Sequence, residues 1–431
     1  YGSQGRNGVI LVTTKTASSK GQQNKFEGSV TQSYFAIKAV VPEFQDKWAN
    51  GFDGAYGEFY SNWGNLMDGT PTRFAHPYYE HRNTFPQFPE FQVSGTTLQP
   101  GQTIPGYIPV AAPNNVSDFF QTGSSSTTSL TLGAKSEFGN LNFSYSHLDE
   151  TGFVKNNNIK RDNLSFGGTA KLTDKFTLTN AFNFVKTDFQ TPPTAAGDAS
   201  NTFGGGPSIF ANLFFTPRNV DLTAWPWEDP ITKGSVYYRN TKGITNPYWI
   251  RQNARQTNTT NRFFSSTSLN YKLADWINVS YRLGYDNYSE FQQYYNNKSG
   301  DAGFAGALTP GALRTTTGIS TIQDHSFLVN INKDLSSDLN INGVVGYNYR
   351  QNDFRQEGLE SLGQVVFGLL EHRNFTSTLP RTWRGDQLNY QTHSAIQGVF
   401  FDSNLGYKNM LYVGLAARND WASVLEKENR S

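Results

Sequence analysis

The feature that most constrains this chain is a two-residue alternation of apolar and polar side chains that recurs along its length. In the clearest case, residues 277 to 285, every odd position is apolar or aromatic, while Asn278, Ser280, Arg282 and Gly284 occupy the even positions. Because successive side chains of a β-strand point to opposite sides, such a segment has one apolar and one polar face. The pattern predicts strands of roughly the ~9 to 11 residues that a tilted membrane strand requires.

The same alternation recurs, more weakly in places, so the sequence predicts about eleven strands. They cover residues 25 to 35, 127 to 136, 141 to 149, 163 to 172, 176 to 188, 262 to 273, 277 to 285, 325 to 333, 339 to 350, 394 to 407 and 410 to 418.

The connections between the predicted strands alternate between short and long. Short turns occupy 137 to 140, 173 to 175, 274 to 276, 334 to 338 and 408 to 409, and longer segments occupy 36 to 126, 150 to 160, 189 to 261, 289 to 324 and 351 to 393. In an antiparallel up-and-down barrel, every second connection lies at the same end. The alternation therefore favours a transmembrane β-barrel over a soluble Greek-key sandwich, although the strand faces alone fit both architectures.

Composition agrees with a barrel and argues against other classes. No run approaches the ~20 consecutive apolar residues of a spanning helix. The 33 Phe, 22 Tyr and 8 Trp are residues that favour strands and the interfacial belts of barrels. The 36 basic and 35 acidic residues nearly cancel, without a run of like charge, so nucleic acid is not expected as a partner. The sequence has no cysteine, which excludes disulfides and thiolate metal sites.

The opening segment YGSQGRNGVILVTTK is the most specific motif in the chain. Its glycines and asparagine suit a tight turn, and the residues from Val9 to Thr13 then predict a buried strand. From the residues alone, a generic glycine-rich turn before a strand is an equally good interpretation. The turn residues of the motif are Tyr1, Gly2, Gly5, Asn7 and Gly8.

This motif resembles the end of the plug domain in the SusC/RagA-type family of TonB-dependent outer-membrane transporters. The likeness continues through Phe26, Glu27 and Gly28, and the later segments GEFYSNWG (57 to 64), TNPYW (245 to 249) and ARNDWAS (417 to 423) also look like this family. In the motif, the matching residues are Tyr1, Gly2, Ser3, Gly5, Asn7, Gly8, Val9, Thr13, Thr14 and Lys15.

The resemblance implies an active importer in the outer membrane of a Gram-negative bacterium. In this family a plug fills a barrel of about 22 strands, and an inner-membrane TonB complex pulls on the plug to open a path. A SusD-like surface lipoprotein closes over the barrel, and relatives import oligosaccharides or peptides. The chemistry expected is binding and gating within outer-membrane lipid, without an enzymatic step.

The resemblance also implies a division of the chain. Residues 1 to 20 would end the plug, and residues 21 to 431 would form the N-terminal half of the barrel, with long extracellular loops at 36–126, 189–261, 289–324 and 351–393. Half a barrel leaves unpaired sheet edges, which are costly in hydrocarbon. The remaining strands and the TonB-contacting segment are therefore expected in sequence outside this chain, either on the same polypeptide or on a separate chain.

Aromatic residues in the predicted loops are the candidates for substrate binding. They could stack on sugar rings or on apolar groups of a peptide. The alternative is that they pack the loops against one another or sit in the interfacial belt. The candidates are Trp48, Trp63, Tyr78, Tyr79, Trp225, Trp227 and Trp249.

Signals for metals, cofactors and catalysis are weak. His76, Glu80 and His81 have no regular element to orient them as metal ligands, so solvated loop residues are expected there. No calcium-loop array is present, which leaves calcium at loop junctions as an alternative, and no other cofactor is expected. The signatures of hydrolases, phosphate loops and zinc proteases are missing from the sequence. A passive porin and a secreted all-β glycan-binding protein remain the alternative functions.

Overall fold

The computed structural model describes residues 25–57, 61–95, 106–193, 209–238, 245–298, 310–379, 382–383, 386–408 and 410–424. In chain order the strands are β1 (Lys25–Ile37), β2 (Gly51–Phe52), β3 (Ala55–Tyr56), β4 (Gly123–Ser136), β5 (Gly139–Thr151), β6 (Asn158–Lys171), β7 (Phe176–Thr191), β8 (Ala254–Ala274), β9 (Ile277–Asn296), β10 (Ala312–Asp334), β11 (Leu339–Gln364), β12 (Phe375–Leu379), β13 (Thr382–Trp383), β14 (Asp386–Gln387), β15 (Tyr390–Tyr407) and β16 (Leu411–Ala422).

The helices are short and lie in the connections between strands. They are α1 (Asn115–Phe119), α2 (Ile209–Phe215), α3 (Pro247–Asn253) and three 3₁₀ turns at Tyr79–His81, Pro89–Gln92 and His372–Asn374. Within the described ranges, none of the helices has the length and apolar character needed to cross a membrane.

One large antiparallel sheet dominates the structure. Its order is β1-β4-β5-β6-β7-β8-β9-β10-β11-β15-β16, and β12 pairs with the end of β11. Every long strand thus hydrogen-bonds to the long strands that precede and follow it in the chain, as in an up-and-down barrel wall. The predicted all-β antiparallel wall of about eleven strands is confirmed.

The connections divide between the two ends of the sheet as the sequence predicts. One end carries tight turns, such as residues 275–276 between β8 and β9 and residues 335–338 between β10 and β11. Gly139, directly after the turn between β4 and β5, has φ +150°. A Cβ at this position would lie 1.9 Å from the backbone oxygen of Thr169. The opposite end carries the long connections.

Several strands extend further into the predicted loops than the alternation suggests. β9 continues to Asn296 and β10 begins at Ala312, so the connection predicted at 289–324 shrinks to 297–311. β11 likewise runs to Gln364, inside the segment predicted as a loop at 351–393. In these extensions both faces carry polar residues, for example Thr315 to Thr317, so no alternation marks them. The backbone ladder keeps them extended.

The register of the sheet places the apolar side chains on one face, here called the outer face. Phe166 on β6 is paired with Phe143 on β5 and with Phe182 on β7. Phe182 also stacks on Phe263 of β8, with ring centroids 6.1 Å apart. Because directly paired residues lie on the same side of an antiparallel sheet, these rings form a continuous row across four strands.

This apolar band has the height expected for a membrane barrel. On β9 it runs from Ile277 to Tyr285, and these eight steps of ~3.3 Å, tilted by ~35–45°, span roughly 20 Å. Above it the outer face becomes charged, with Asp149 and Lys160 paired at 3.4 Å. The band is therefore bounded on the side of the long connections.

The opposite, inner face of the sheet is polar. Arg262 Nε on β8 donates to Asp286 Oδ1 on β9 at 2.9 Å. On β10 and β11, Asp324 and Arg350 lie 3.8 Å apart. Within each of these pairs, charges of opposite sign meet across neighbouring strands, which suits a water-filled or plug-facing surface better than a lipid-facing one.

A charged substitution should lower the stability of the protein by different amounts on the two faces of the sheet. We expect Phe182→Arg, on the outer face, to lower the free energy of unfolding in lipid by about 2–4 kcal/mol, because the guanidinium enters hydrocarbon. Asn183→Arg, the adjacent inner-face position, is expected to cost less than about 1 kcal/mol. Denaturant titrations of the protein refolded in lipid vesicles would measure both. Equal costs at the two positions would contradict the assignment of faces.

Candidate functional site

Two of the long connections fold together into a compact layer, here called the loop cap. It consists of the described parts of residues 38–122, between β1 and β4, and of residues 192–253, between β7 and β8. Its core contains buried residues from both connections, among them Phe91, Phe119, Leu213 and Trp249. Val154, between β5 and β6, belongs to the same core and anchors the loop cap to the sheet.

Asparagine side chains tie the two connections to each other. The Asn50 backbone N–H donates to Asn219 Oδ1 at 2.9 Å, and the Arg218 N–H donates to Asn62 Oδ1 at 2.9 Å. Asn115 Oδ1 accepts from the Leu222 N–H at 2.9 Å. These bonds satisfy backbone groups of irregular segments that have no ladder, which is what a buried loop requires.

Arg218 sits inside this core. Its guanidinium lies 4.7 Å from the centroid of the Phe44 ring, and it donates to the carbonyl oxygens of Phe214, at 3.3 Å, and of Thr216. Burial lowers the pKa of Arg218 from its usual value. Carbonyl oxygens and a ring face thus stabilise this buried cation.

The predicted aromatic residues fall into different environments. Tyr78 and Trp249 are fully buried, and Trp249 Nε1 donates to the Lys233 carbonyl at 2.8 Å. Both rings therefore pack the loop cap, as the alternative interpretation of the aromatic residues describes. Trp63 is 60% exposed on the loop surface.

The remaining candidates are partly buried. Tyr79 carries the Arg82 guanidinium over its ring at 3.9 Å, and Trp48 is half-buried and bridges to Leu66. Trp225 and Trp227 pack against the edge of the core. The structure does not gather the seven rings into one surface, and substrate binding by any of them stays a prediction.

A groove of about 520 Å³ opens in the loop cap, and Trp225 is the predicted aromatic that reaches it. Asp221 positions this ring, because Asp221 Oδ1 accepts from the N–H groups of Thr223 at 2.9 Å and Ala224 at 2.8 Å in the turn that leads to it. The groove is lined by His76, Glu90, Val93, Gly106, Tyr107, Ile108, Val110, Ala111, Ala112, Asn219, Asp221 and Trp225.

His76 forms part of the lining and is only 3% exposed. Its ring lies among those of Phe91, Tyr107 and Trp225, with centroids 4.9, 4.8 and 4.7 Å away. Burial lowers its pKa to about 3, because the charged form loses its hydration. Burial likewise raises the pKa of Tyr107 to about 12. Both side chains are therefore neutral at pH 7.

The structure does not assemble His76, Glu80 and His81 as a metal site. His81 Nε2 lies 3.7 Å from Glu80 Oε1, while the His76 ring packs in the groove. Among the described residues, no group of three or more His, Asp or Glu side chains is arranged to hold a metal ion.

Sequence reasoning missed two parts of the site. The sequence could have indicated the charges of the inner face, since they occupy the alternate positions that belong to the polar face of each strand. These charges are Arg262, Asp286, Asp324 and Arg350. Asn219 carried no signal, because its importance comes from contacts with a distant connection. His76 was expected to be a solvated loop residue, but in the structure it is buried.

The chain was compared with known families, curated proteins and solved structures. No family model matches it. No curated protein matches it either. Among solved structures it resembles the RagAB peptide importer in the closed-closed state, with TM-score 0.63 and 12% identity over 96% of this chain and 44% of that chain.

The open-open state of the same importer gives TM-score 0.60 and 12% identity, again over 96% of this chain and 44% of the other. A further structure of the RagAB peptide transporter gives 0.59 and 12% identity, over 94% and 43%. This chain has the fold of the RagAB importer. It spans less than half the length of the RagAB chain that it matches.

The RagAB likeness confirms, for the fold, the SusC/RagA-type resemblance seen in the sequence. The motif at Tyr1, Gly2, Gly5, Asn7 and Gly8 lies outside the described residues, and so does the predicted plug segment 1–20. The division of the chain at residue 20 therefore stays a prediction.

The buried neutral His76 predicts a pH dependence of the loop cap. Since its pKa is about 3 when folded and 6.5 when exposed, the unfolded form binds more protons between these values. The free energy of opening the loop cap should therefore fall as pH drops below 6.5, by on the order of 2 kcal/mol at pH 5. Hydrogen exchange of residues 74–93, corrected for chemical exchange rates, would measure this.

Two variants separate the contribution of His76 from that of its neighbour. His76→Phe keeps an aromatic ring in place but cannot be protonated, so it should flatten most of the pH dependence. Burial also lowers the pKa of His81, and His81→Phe should remove the smaller remaining part. An unchanged pH profile in His76→Phe would show that His76 does not stabilise the loop cap in this way.

Proposed function

We propose that this chain forms part of the wall and the extracellular loops of a TonB-dependent transporter that imports peptides or oligosaccharides across the outer membrane. The observation that carries the proposal is the antiparallel wall, apolar on its outer face and charged on its inner face, in a chain with the RagAB fold. A soluble sandwich would bury such an apolar face against a second sheet. Here the band stays exposed, as lipid contact requires.

Peptides are the favoured substrate class. Three solved structures that this chain resembles are those of a peptide importer. The groove in the loop cap offers a surface suited to a peptide, with an aromatic ring, aliphatic walls and a few polar groups. Oligosaccharides are the second class, because the exposed Trp63 and half-buried Trp48 could also stack on sugar rings.

The proposal includes two partners. A SusD-like surface lipoprotein would cover the end that carries the long connections, since RagAB is an assembly of two kinds of subunit. A TonB complex would act through a plug inside the wall. The paired charges of Arg262 with Asp286 and of Asp324 with Arg350 would face that plug and the substrate path.

Uptake in cells tests the proposed function. Labelled oligopeptides and oligosaccharides are supplied to cells that express the full-length transporter, in strains with and without a working TonB system. We expect uptake of one class to fall to the background of a transporter-deletion strain when TonB is lost, while binding to the cell surface persists. A passive porin would give uptake that is independent of TonB.

A separate measurement tests the proposed location in the membrane. After extraction, the protein should partition into detergent, because the outer face needs an apolar surround. Recovery in aqueous buffer would instead support the secreted glycan-binding alternative.

A further inference from the structure

Two residues that line the groove in the loop cap each carry a buried side-chain nitrogen with no hydrogen-bond partner in the described part of the chain. These nitrogens are His76 Nε2 and Asn219 Nδ2. His76 is 3% exposed and Asn219 is 1% exposed. A buried donor that lacks an acceptor costs about 1–3 kcal/mol, so two in one groove call for an explanation.

The hydrogen bonds of His76 determine which ring nitrogen carries the proton. His76 Nδ1 accepts from the Tyr78 backbone N–H at 3.1 Å. A neutral imidazole has one donor and one acceptor nitrogen, so Nε2 must be the protonated one. The ring therefore presents a fixed N–H donor, held in orientation by Phe91, Tyr107 and Trp225.

The Asn219 carboxamide is oriented in the same manner. Its Oδ1 accepts from the Asn50 N–H at 2.9 Å. Its own carbonyl accepts from the Tyr107 hydroxyl at 3.0 Å. With the oxygen committed to Asn50, the amide nitrogen is the part of the side chain that can donate, and it carries two N–H groups, of which the neighbouring Tyr107 oxygen can accept at most one.

The rest of the groove limits what can use these donors. Val93, Ile108 and Val110 form apolar walls beside Trp225, and Glu90 and Asp221 add carboxylates. The carboxylates disfavour an anionic ligand. Sugar rings would press several hydroxyls against the aliphatic walls, at a desolvation cost. A peptide presents carbonyl acceptors, N–H donors and apolar side chains together.

We propose that the groove is a peptide-binding subsite in which backbone carbonyl oxygens accept from His76 Nε2 and Asn219 Nδ2 while an apolar side chain packs on Trp225. This inference deepens the proposed function, because import of the bound peptide rests on that function. Binding to the groove is a property of the purified protein and can be measured apart from transport.

Calorimetry on the full-length transporter in detergent provides the test. The probes are the blocked tripeptide acetyl-Ala-Leu-Ala-amide and, as a sugar of similar size, maltotriose. We expect the tripeptide to bind and maltotriose not to bind. His76→Phe, which keeps the ring but removes Nε2, should weaken tripeptide binding about five- to tenfold, the value of one hydrogen bond.

Asn219→Asp should weaken tripeptide binding by a similar factor, because it keeps the acceptor for Asn50 and replaces the donor with an oxygen. The matched controls are His81→Phe and Asn62→Asp, which make the same changes in the loop cap at residues that do not line the groove. Both controls should bind as the unmodified protein does. Equal weakening in the controls would overturn the proposal, since it would reflect damage to the loop cap.

A spectroscopic measurement covers the case in which a variant misfolds. In protein labelled with ¹⁵N-histidine, the Nε2 proton of His76, assigned from its loss in His76→Phe or by selective labelling, should shift downfield when the tripeptide is added. No shift at saturating tripeptide would overturn the proposal. Tighter binding of maltotriose than of the tripeptide would do the same.

The two proposals can fail separately. TonB-dependent uptake with unaffected binding in His76→Phe and Asn219→Asp would leave the proposed function standing and remove the subsite. Weakened tripeptide binding in both variants, with uptake independent of TonB, would keep the subsite and remove active transport.

Discussion

The continuous hydrogen-bond ladder of the sheet is the constraint on which the rest of the structure depends. Backbone groups in hydrocarbon have no water to bind, so each strand must pair along its full membrane-spanning length. The pairing in turn places side chains such as Phe143, Phe166 and Phe182 in register on one face. A shift of one residue would move a whole strand's apolar set to the inner face, and this cost keeps the register unique.

The same ladder supports the loop cap. Strands such as β10 and β11 continue beyond the apolar band, where polar side chains occur on both faces. At the same end of the sheet, the connection between β1 and β4 and the connection between β7 and β8 bury a core of their own. The side-chain oxygens of Asn219, Asn62 and Asn115 hold this core together, because each accepts from a backbone N–H group of the other connection. The described parts of these two connections therefore form a structured layer with a defined groove.

The groove is the part of this architecture that would contact a ligand. His76, which is neutral and held in orientation by its neighbours, presents a donor without the cost of desolvating a charge. The inner face of the sheet is charged instead, with pairs such as Arg262 and Asp286 among polar side chains. In the transporter proposed above, the first surface would select a ligand and the second would let it pass.

The sequence by itself determined the wall: eleven strands, their two faces and the alternation of short and long connections. These features follow from a two-residue period and from turn residues, which are local. Only the tertiary structure decided where β9, β10 and β11 end, because the backbone ladder extends them where no apolar period exists. It alone decided that Tyr78 and Trp249 are buried and that His76 meets Asn219. Contacts between distant irregular segments create the loop cap, and such contacts leave no periodic signal in the chain.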